Sequence, residues 1–235
     1  MNSTALNIEQ RRYERKFVPE ISTAAHVKNI VLSLPAFFRP LYHPRYVNNI
    51  YFDTVNFDNF YDNVHGRSER KKVRIRWYGD LLGENVKPIL EIKIKSAFVG
   101  DKKQYPLPEC NISDILNSGK KRKALFNDAG LPVDIINLLK KEQPYLLNRY
   151  LRNYFIDHTG NFRMTVDQDV RYQPVRKNFN PQANPQLLNN FPVLELKYDE
   201  QFDDMARDVT DYIPFRIIKN SKYVNGMEAF YSVRA

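Results

Sequence analysis

Ionisable residues occupy alternate positions in one short segment after another, with aliphatic or aromatic residues between them. Glu14 and Lys16 lie in RYERKF, Arg74 and Arg76 in VRIRW, Glu91, Lys93 and Lys95 in LEIKIK, Arg152 in RYLRNYF, and Glu195 and Lys197 in VLELKY. Side chains of a strand alternate faces with period two, so each segment presents a charged face and an apolar face. The pattern predicts strands over Arg12–Val18, 46–54, Lys71–Tyr78, Ile89–Ala97, Arg149–Ile156, Asn161–Arg171, 193–198 and near 215–219. A different spacing marks the helices. Val27, Ile30, Val31 and Leu34 recur at i, i+3, i+4 and i+7 behind a Ser22 or Thr23 cap and stop before Pro35. Phe57, Phe60, Tyr61 and Val64 repeat that spacing up to Gly66, and a helical excursion occupies about 111–142, with Pro132 opening its last helix. Two more helices are expected near 200–212 and from Ser221 onward, while 174–192, rich in Asn, Gln and Pro, reads as a long loop.

Hairpin-connected strands with helices between or after them describe an α+β protein with an antiparallel sheet rather than βαβ units. About eight strands suffice for a closed barrel with helices packed outside, which would turn the charged face into a lining. With 235 residues and no composition break, the expectation is a flexible leader over 1–9 and one domain over 10–235. A hydrophobic fraction of 43% supplies a core and excludes a disordered chain. The net charge of +9 points to an anionic partner. The lone Cys110 excludes an intrachain disulfide and a cysteine-based zinc site, and reads as an incidental free thiol in a reducing cytoplasm. No secretory leader and no apolar run of the ~18 residues needed to span a bilayer is present, so a cytoplasmic, non-spanning protein is expected.

The charged face has two readings. It is the wetted side of a half-buried sheet, or it is enclosed and grips a ligand. The cations Lys16, Arg74, Arg76, Lys93, Lys95, Arg152 and Lys197 outnumber Glu14, Glu91 and Glu195, whereas a face serving solubility alone would mix signs more evenly. Enclosed and unpaired, each charge would cost several kcal/mol of desolvation, roughly, so an enclosed face needs a compensating ligand. Phosphates supply it through charge-assisted hydrogen bonds, and the few carboxylates would hold Mg²⁺ or Mn²⁺ against phosphate oxygens. Neither G-x-x-x-x-G-K-[ST] nor G-x-G-x-x-G occurs, and H-E-x-x-H and G-x-S-x-G are absent too.

The ordered set RYERKF, IYFDT, VRIRWYG, LEIKIK, RYLRNYF, VLELKY and SKYVNGM, spanning about residues 10–230, resembles the VTC domain. That is the polyphosphate polymerase domain of the vacuolar transporter chaperone complex, in the triphosphate tunnel metalloenzyme superfamily with the CYTH proteins. The resemblance implies a tunnel of eight antiparallel strands with a basic lumen and a divalent metal, Mn²⁺ or Mg²⁺. It implies ATP, inorganic triphosphate or polyphosphate as ligand, with no nucleic acid expected. Carried over, Lys16, Arg74, Arg76, Lys93, Arg152 and Lys222 are the catalytic cations. Tyr150, Ser221, Lys95, Lys197 and Lys103, or its neighbour Lys102, are substrate-binding. Glu195, with Glu14 or Glu91, holds the metal. The CYTH branch opens on E-x-E-x-K, but Arg12 replaces its first glutamate here, which favours the polymerase branch over a hydrolase. Eukaryotic complexes add a regulatory SPX domain and membrane helices. Neither occurs in these residues, which leaves room for a membrane-protein partner. The expected activity is transfer of the γ-phosphoryl group of ATP to polyphosphate, with triphosphate hydrolysis or non-catalytic polyanion binding as the alternatives.

Overall fold

The computed structural model describes residues 12–96, 99–175, 185–187 and 191–231; the expected leader lies outside them. Among the described residues nine strands form one sheet: β1 (Arg12–Phe17), β2 (Arg39–Asp53), β3 (Glu69–Tyr78), β4 (Ile89–Ser96), β5 (Val99–Pro106), β6 (Gln143–Ile156), β7 (Arg163–Pro174), β8 (Gln186–Leu187) and β9 (Val193–Asp199). The helices are α1 (Ala24–Ser33), α2 (Asp58–Val64), α3 (Ile112–Asn117), α4 (Gly119–Asp128), α5 (Val133–Lys141), α6 (Met205–Thr210) and α7 (Lys222–Tyr231). The long loop expected over 174–192 contains β8, which pairs with β7.

All pairings are antiparallel, in the order β1-β9-β7-β6-β2-β3-β4-β5. Among the described residues β1 and β5 form no ladder with each other, so the sheet is open where a closed barrel was expected. A reason lies on the free edge of β1. The Ile218 amide donates to the Lys16 carbonyl at 2.9 Å and Phe17 bridges Ile217, so backbone groups that closure would use are already taken. The segment near 215–219, expected as a strand, contributes this bridge instead. The sheet nevertheless curls strongly, because Lys93 on β4 comes within 3.8 Å of Glu14 on β1, near opposite ends of the strand order.

The apolar positions of the alternating segments point outward under helices. Val73, Ile75, Trp77, Leu90 and Ile92 are buried with Ile112, Ile115, Phe126, Ile135 and Leu139 of α3, α4 and α5. Phe17, Leu194 and Leu196 pack with Val27 and Val31 of α1 and with Ala206 and Val209 of α6. Helix α1 starts where the Thr23 hydroxyl accepts from the His26 amide, as its sequence suggested. A third cluster joins Tyr51, Leu146, Tyr150 and Tyr172 of the sheet to Phe60 of α2 and to Tyr223 and Met227 of α7. Gly226 is required there: a Cβ at this position would collide with Leu146 and lie 2.7 Å from a ring carbon of Tyr172. That close approach sets α7 across one end of the polar face. The β7 strand carries a bulge opposite Arg149–Leu151, with Asp169 at a φ of 52°.

Candidate phosphate-binding groove

Alternation sends Lys72, Arg74 and Arg76 of β3 to the polar face, where the two arginines find partners on other strands and Lys72 finds one beside α7. The Arg74 guanidinium donates from Nε to Glu91 Oε2 at 2.7 Å and from Nη1 to the Tyr51 hydroxyl at 3.3 Å. Arg76 donates to Asn49 Oδ1 at 3.0 Å and to the Tyr150 hydroxyl at 3.5 Å. Glu91, only 3% exposed, also accepts from Lys102 Nζ and Gln104 Nε2, each at 2.7 Å. Burial alone would raise its pKa, but Arg74, Arg76 and Lys102 outweigh burial and hold the carboxyl well below the usual range. Glu91 is thus the internal counter-ion of the paired arginines.

A second centre gathers on β6, β7, β9 and β1. Arg152 makes a bidentate pair with the fully buried Asp167, at 2.6 and 2.7 Å, and reaches Glu195 at 3.6 Å. Lys222 at the start of α7 donates to Asp167 at 2.5 Å and lies 4.6 Å from the Tyr150 ring centre. Burial opposes ionisation of Asp167, yet Arg152 and Lys222 bring its pKa down to about 2. Glu14 and Glu195 sit on the adjacent strands β1 and β9, Glu14 opposite Lys197 and Glu195 opposite Lys16. Lys197 lies 3.2 Å from Glu195, and Lys16 lies 2.7 Å from Glu14. Against the cost of burial, Lys197, the contact with Glu14, Lys16 and Arg152 keep Glu195 well below the usual carboxylate range.

Between the two centres, Lys72 Nζ donates to Ser221 Oγ at 2.9 Å, and Lys16 Nζ donates to the Asn220 carbonyl at 3.1 Å. Burial, then repulsion from Lys16, Lys93 and Arg74, pushes the Lys72 pKa down to about 7. Behind this point the Tyr223 hydroxyl donates to the buried Asp53, which also accepts from the amides of Thr54, Asn59 and Phe60. These bonds moor the first turn of α7, and with it Ser221 and Lys222, to the end of β2.

Most residues singled out from the sequence therefore meet on one surface: Lys16, Arg74, Arg76, Lys93, Tyr150, Arg152, Glu195, Lys197, Ser221 and Lys222, with Glu14. Lys95 lies further along β4 opposite Arg70, away from both centres. Lys103 stands opposite Ile92, on the other face, whereas Lys102 faces Lys93 and reaches Glu91. A one-residue choice of register decides this, because it flips the side chain through the sheet. The three candidate metal carboxylates divide, Glu91 within the arginine cage and Glu14 with Glu195. Among the described residues no three His, Cys, Asp or Glu assemble into a metal-holding group. Two carboxylates on neighbouring strands still suit a hard cation of the Mg²⁺ type, which takes one or two protein carboxylates and completes its shell with phosphates and water.

Sequence reading missed Lys72, Asp167 and the Asn49 and Gln104 amides. Lys72 continues the Lys72-Arg74-Arg76 alternation, so the signal was available. Asp167 precedes the β7 bulge, and nothing in RMTVDQDV distinguishes it from Asp169.

The model of the VTC domain family matches residues 11–231. No curated protein matches the chain. Solved structures share the fold at low identity. A Hippeastrum protein, studied as an adenylyl cyclase and described as having a dominant triphosphatase activity, aligns at 14% identity and TM-score 0.57 over 93% of this chain and 96% of its own. A protein described as an adenylate cyclase from Bacillus halodurans aligns at 12% identity and TM-score 0.52 over 94% and 98%. One from Pyrococcus horikoshii OT3 aligns at 10% and 0.51 over 93% and 99%. With the family model covering nearly its whole length, and its ordered strand motifs lining one polar groove, this chain belongs to the VTC domain family.

Proposed function

We propose that the protein is a divalent-metal-dependent phosphotransferase that moves the γ-phosphoryl group of ATP onto a polyphosphate chain. The observation that carries this reading is the surplus of cations facing the groove. Lys16, Lys72, Arg74, Arg76, Lys93, Lys102, Arg152, Lys197 and Lys222 outnumber Glu14, Glu91, Asp167 and Glu195, and burial, followed by repulsion from Lys16, Lys93 and Arg74, pushes the Lys72 pKa down to about 7. A linear polyphosphate supplies the missing negative charge along its whole length.

In the transfer, a terminal oxygen of the acceptor chain attacks the γ-phosphorus, and the bond to the β–γ bridging oxygen breaks to release ADP. The nucleophile is already anionic, so the protein has mainly to position two anions and neutralise their charge. Arg74 and Arg76, oriented by Glu91, Tyr51 and Asn49, would hold equatorial phosphate oxygens. Arg152 and Lys222, oriented by Asp167, would hold the neighbouring phosphate, with Lys16, Lys72 and Lys93 closing the remaining side. Glu14 and Glu195 are the residues that would hold the metal ion. When bound, it would neutralise charge on the β- and γ-phosphates and on the leaving oxygen. Openness of the sheet does not oppose this reading, since a groove lined on several sides grips a linear anion as a closed tunnel does.

Incubating the purified protein with ATP and Mn²⁺ or Mg²⁺ should give polyphosphate ladders on a gel. Glu195→Gln should abolish chain growth while leaving binding of polyphosphate within a few-fold, because the substitution removes a metal ligand and no cation. Phosphate release without chain growth would make the protein a triphosphatase. Tight binding with neither product would make it a binding module.

A further inference from the structure

Beyond the phosphate-gripping cations the polar face continues into an aromatic cluster. The β2 segment from Pro40 to Arg45 leaves register twice, between Pro40 and Tyr42 and between Tyr42 and Arg45. These irregularities bring Tyr42 opposite Tyr154 and Arg45 opposite Arg152, which places both on the face that carries the Arg152 side chain. Tyr78 joins them from β3, two residues past Arg76 on the same face and so roughly 7 Å beyond it. The guanidinium carbon of Arg45 lies 5.2 Å from the ring centre of Tyr42, 4.7 Å from Tyr78 and 4.9 Å from Tyr154. The rings of Tyr42 and Tyr154 meet edge to face at 5.6 Å. Tyr42 and Tyr78 remain 56% and 43% exposed, and a hollow of about 510 Å³ opens alongside, lined by residues 40–45.

The chemistry here differs from that of the groove. Each groove arginine is held by a carboxylate or an amide, whereas the contacts of Arg45 are with aromatic rings. Exposed tyrosine faces offer stacking area that a phosphate chain cannot use, and a guanidinium among them offers donors to ring nitrogens and carbonyls. A planar heteroaromatic ring joined to a triphosphate uses both. From this geometry we infer that Tyr42, Arg45, Tyr78 and Tyr154 form a nucleobase seat at the mouth of the groove. The seat holds the base of a nucleoside triphosphate whose phosphates lie on the Arg76 and Arg152 cations. The inference rests on the phosphate-binding reading of the groove and adds the residues that hold the base of its nucleotide donor.

Calorimetric titration in Mg²⁺ with the β,γ-imido analogue of ATP and with inorganic tripolyphosphate tests it on the wild type, Tyr42→Ala and Tyr42→Phe. Loss of a stacking partner worth about 1–3 kcal/mol corresponds to a weakening of roughly five-fold to 150-fold. Tyr42→Ala should therefore bind the nucleotide about ten-fold more weakly with tripolyphosphate affinity unchanged, and Tyr42→Phe should keep both affinities. Equal weakening for the two ligands, or unchanged nucleotide affinity in Tyr42→Ala, overturns the seat and leaves the phosphate groove standing. A wild-type protein that binds neither ligand overturns both. Tyr42 is more than half exposed, so the alanine variant should fold, and an unchanged circular dichroism spectrum checks this.

Discussion

Lys72 is the groove cation whose charge depends most on what lies beside it. Its pKa of about 7 in the ligand-free protein arises from burial and from the neighbouring Lys16, Lys93 and Arg74. An arriving phosphate reverses the sign of the local field, so the amine takes up a proton as the ligand binds. Tripolyphosphate titrated at pH 8 in two buffers of different ionisation enthalpy should show net proton uptake, and Lys72→Met should remove most of it. The same strand illustrates what the sequence could tell. Arg74 and Arg76 were legible from alternation and Lys72 obeys the same rule, whereas the choice between Lys102 and Lys103 depends on a β4–β5 register that the sequence does not encode locally. Glu91 looked like Glu14 and Glu195 as a string of letters. Its four polar neighbours come from β3 and β5, and only the fold brings them to it.

At the scale of elements, α7 is the part that the groove borrows from outside the sheet. Gly226→Ala would gain about 1 kcal/mol of helix propensity, but overpacking a filled interior costs about 1–3 kcal/mol. Leu146 is fully buried and Tyr172 nearly so, which leaves little room to yield, so the clash should win. The variant should melt several degrees lower and bind tripolyphosphate more weakly, since moving α7 moves Ser221 and Lys222. The joint beneath α7 is sensitive to pH as well. Burial raises the Glu142 pKa to about 7, against the bond from Asn59 and the nearby Lys71 and with the nearby Asp53. A carboxyl whose folded pKa exceeds its unfolded value of about 4.3 contributes stability that is lost as pH rises through 7. Thermal melts between pH 5 and pH 8 should show that loss, and Glu142→Gln should flatten it. Besides β8 and the start of β6, two longer stretches of strand escaped the sequence reading for physical reasons. In β5 the segment DKKQYP offers Tyr105 as its one large apolar residue, and the first half of β2 carries Pro40 and Pro44 where a ladder strand would not be sought. Helices α1 and α5 were more legible, because Val27 with Val31 and Ile135 with Leu139 are buried at helical spacing.

For the molecule as a whole, the net charge of +9 and the cation-lined groove make anion capture depend on ionic strength. Affinity for polyphosphate should fall steeply between 0.05 and 0.5 M NaCl, roughly doubling or more the screening of exposed charge pairs. Nucleotide affinity should fall less, because part of it comes from the uncharged stacking surface. The two margins of the sheet carry this dependence further. Among the described residues no ladder joins β1 to β5, and the Lys93–Glu14 ion pair, with its lysine 58% exposed, spans the gap. A sealed cylinder has a diameter fixed by its hydrogen bonds and admits a polymer only by threading from an end. Here the span from β1 to β4 is closed by an ion pair that salt or a competing anion can loosen, so the polyphosphate proposed above should be able to enter sideways, without its ends taking part.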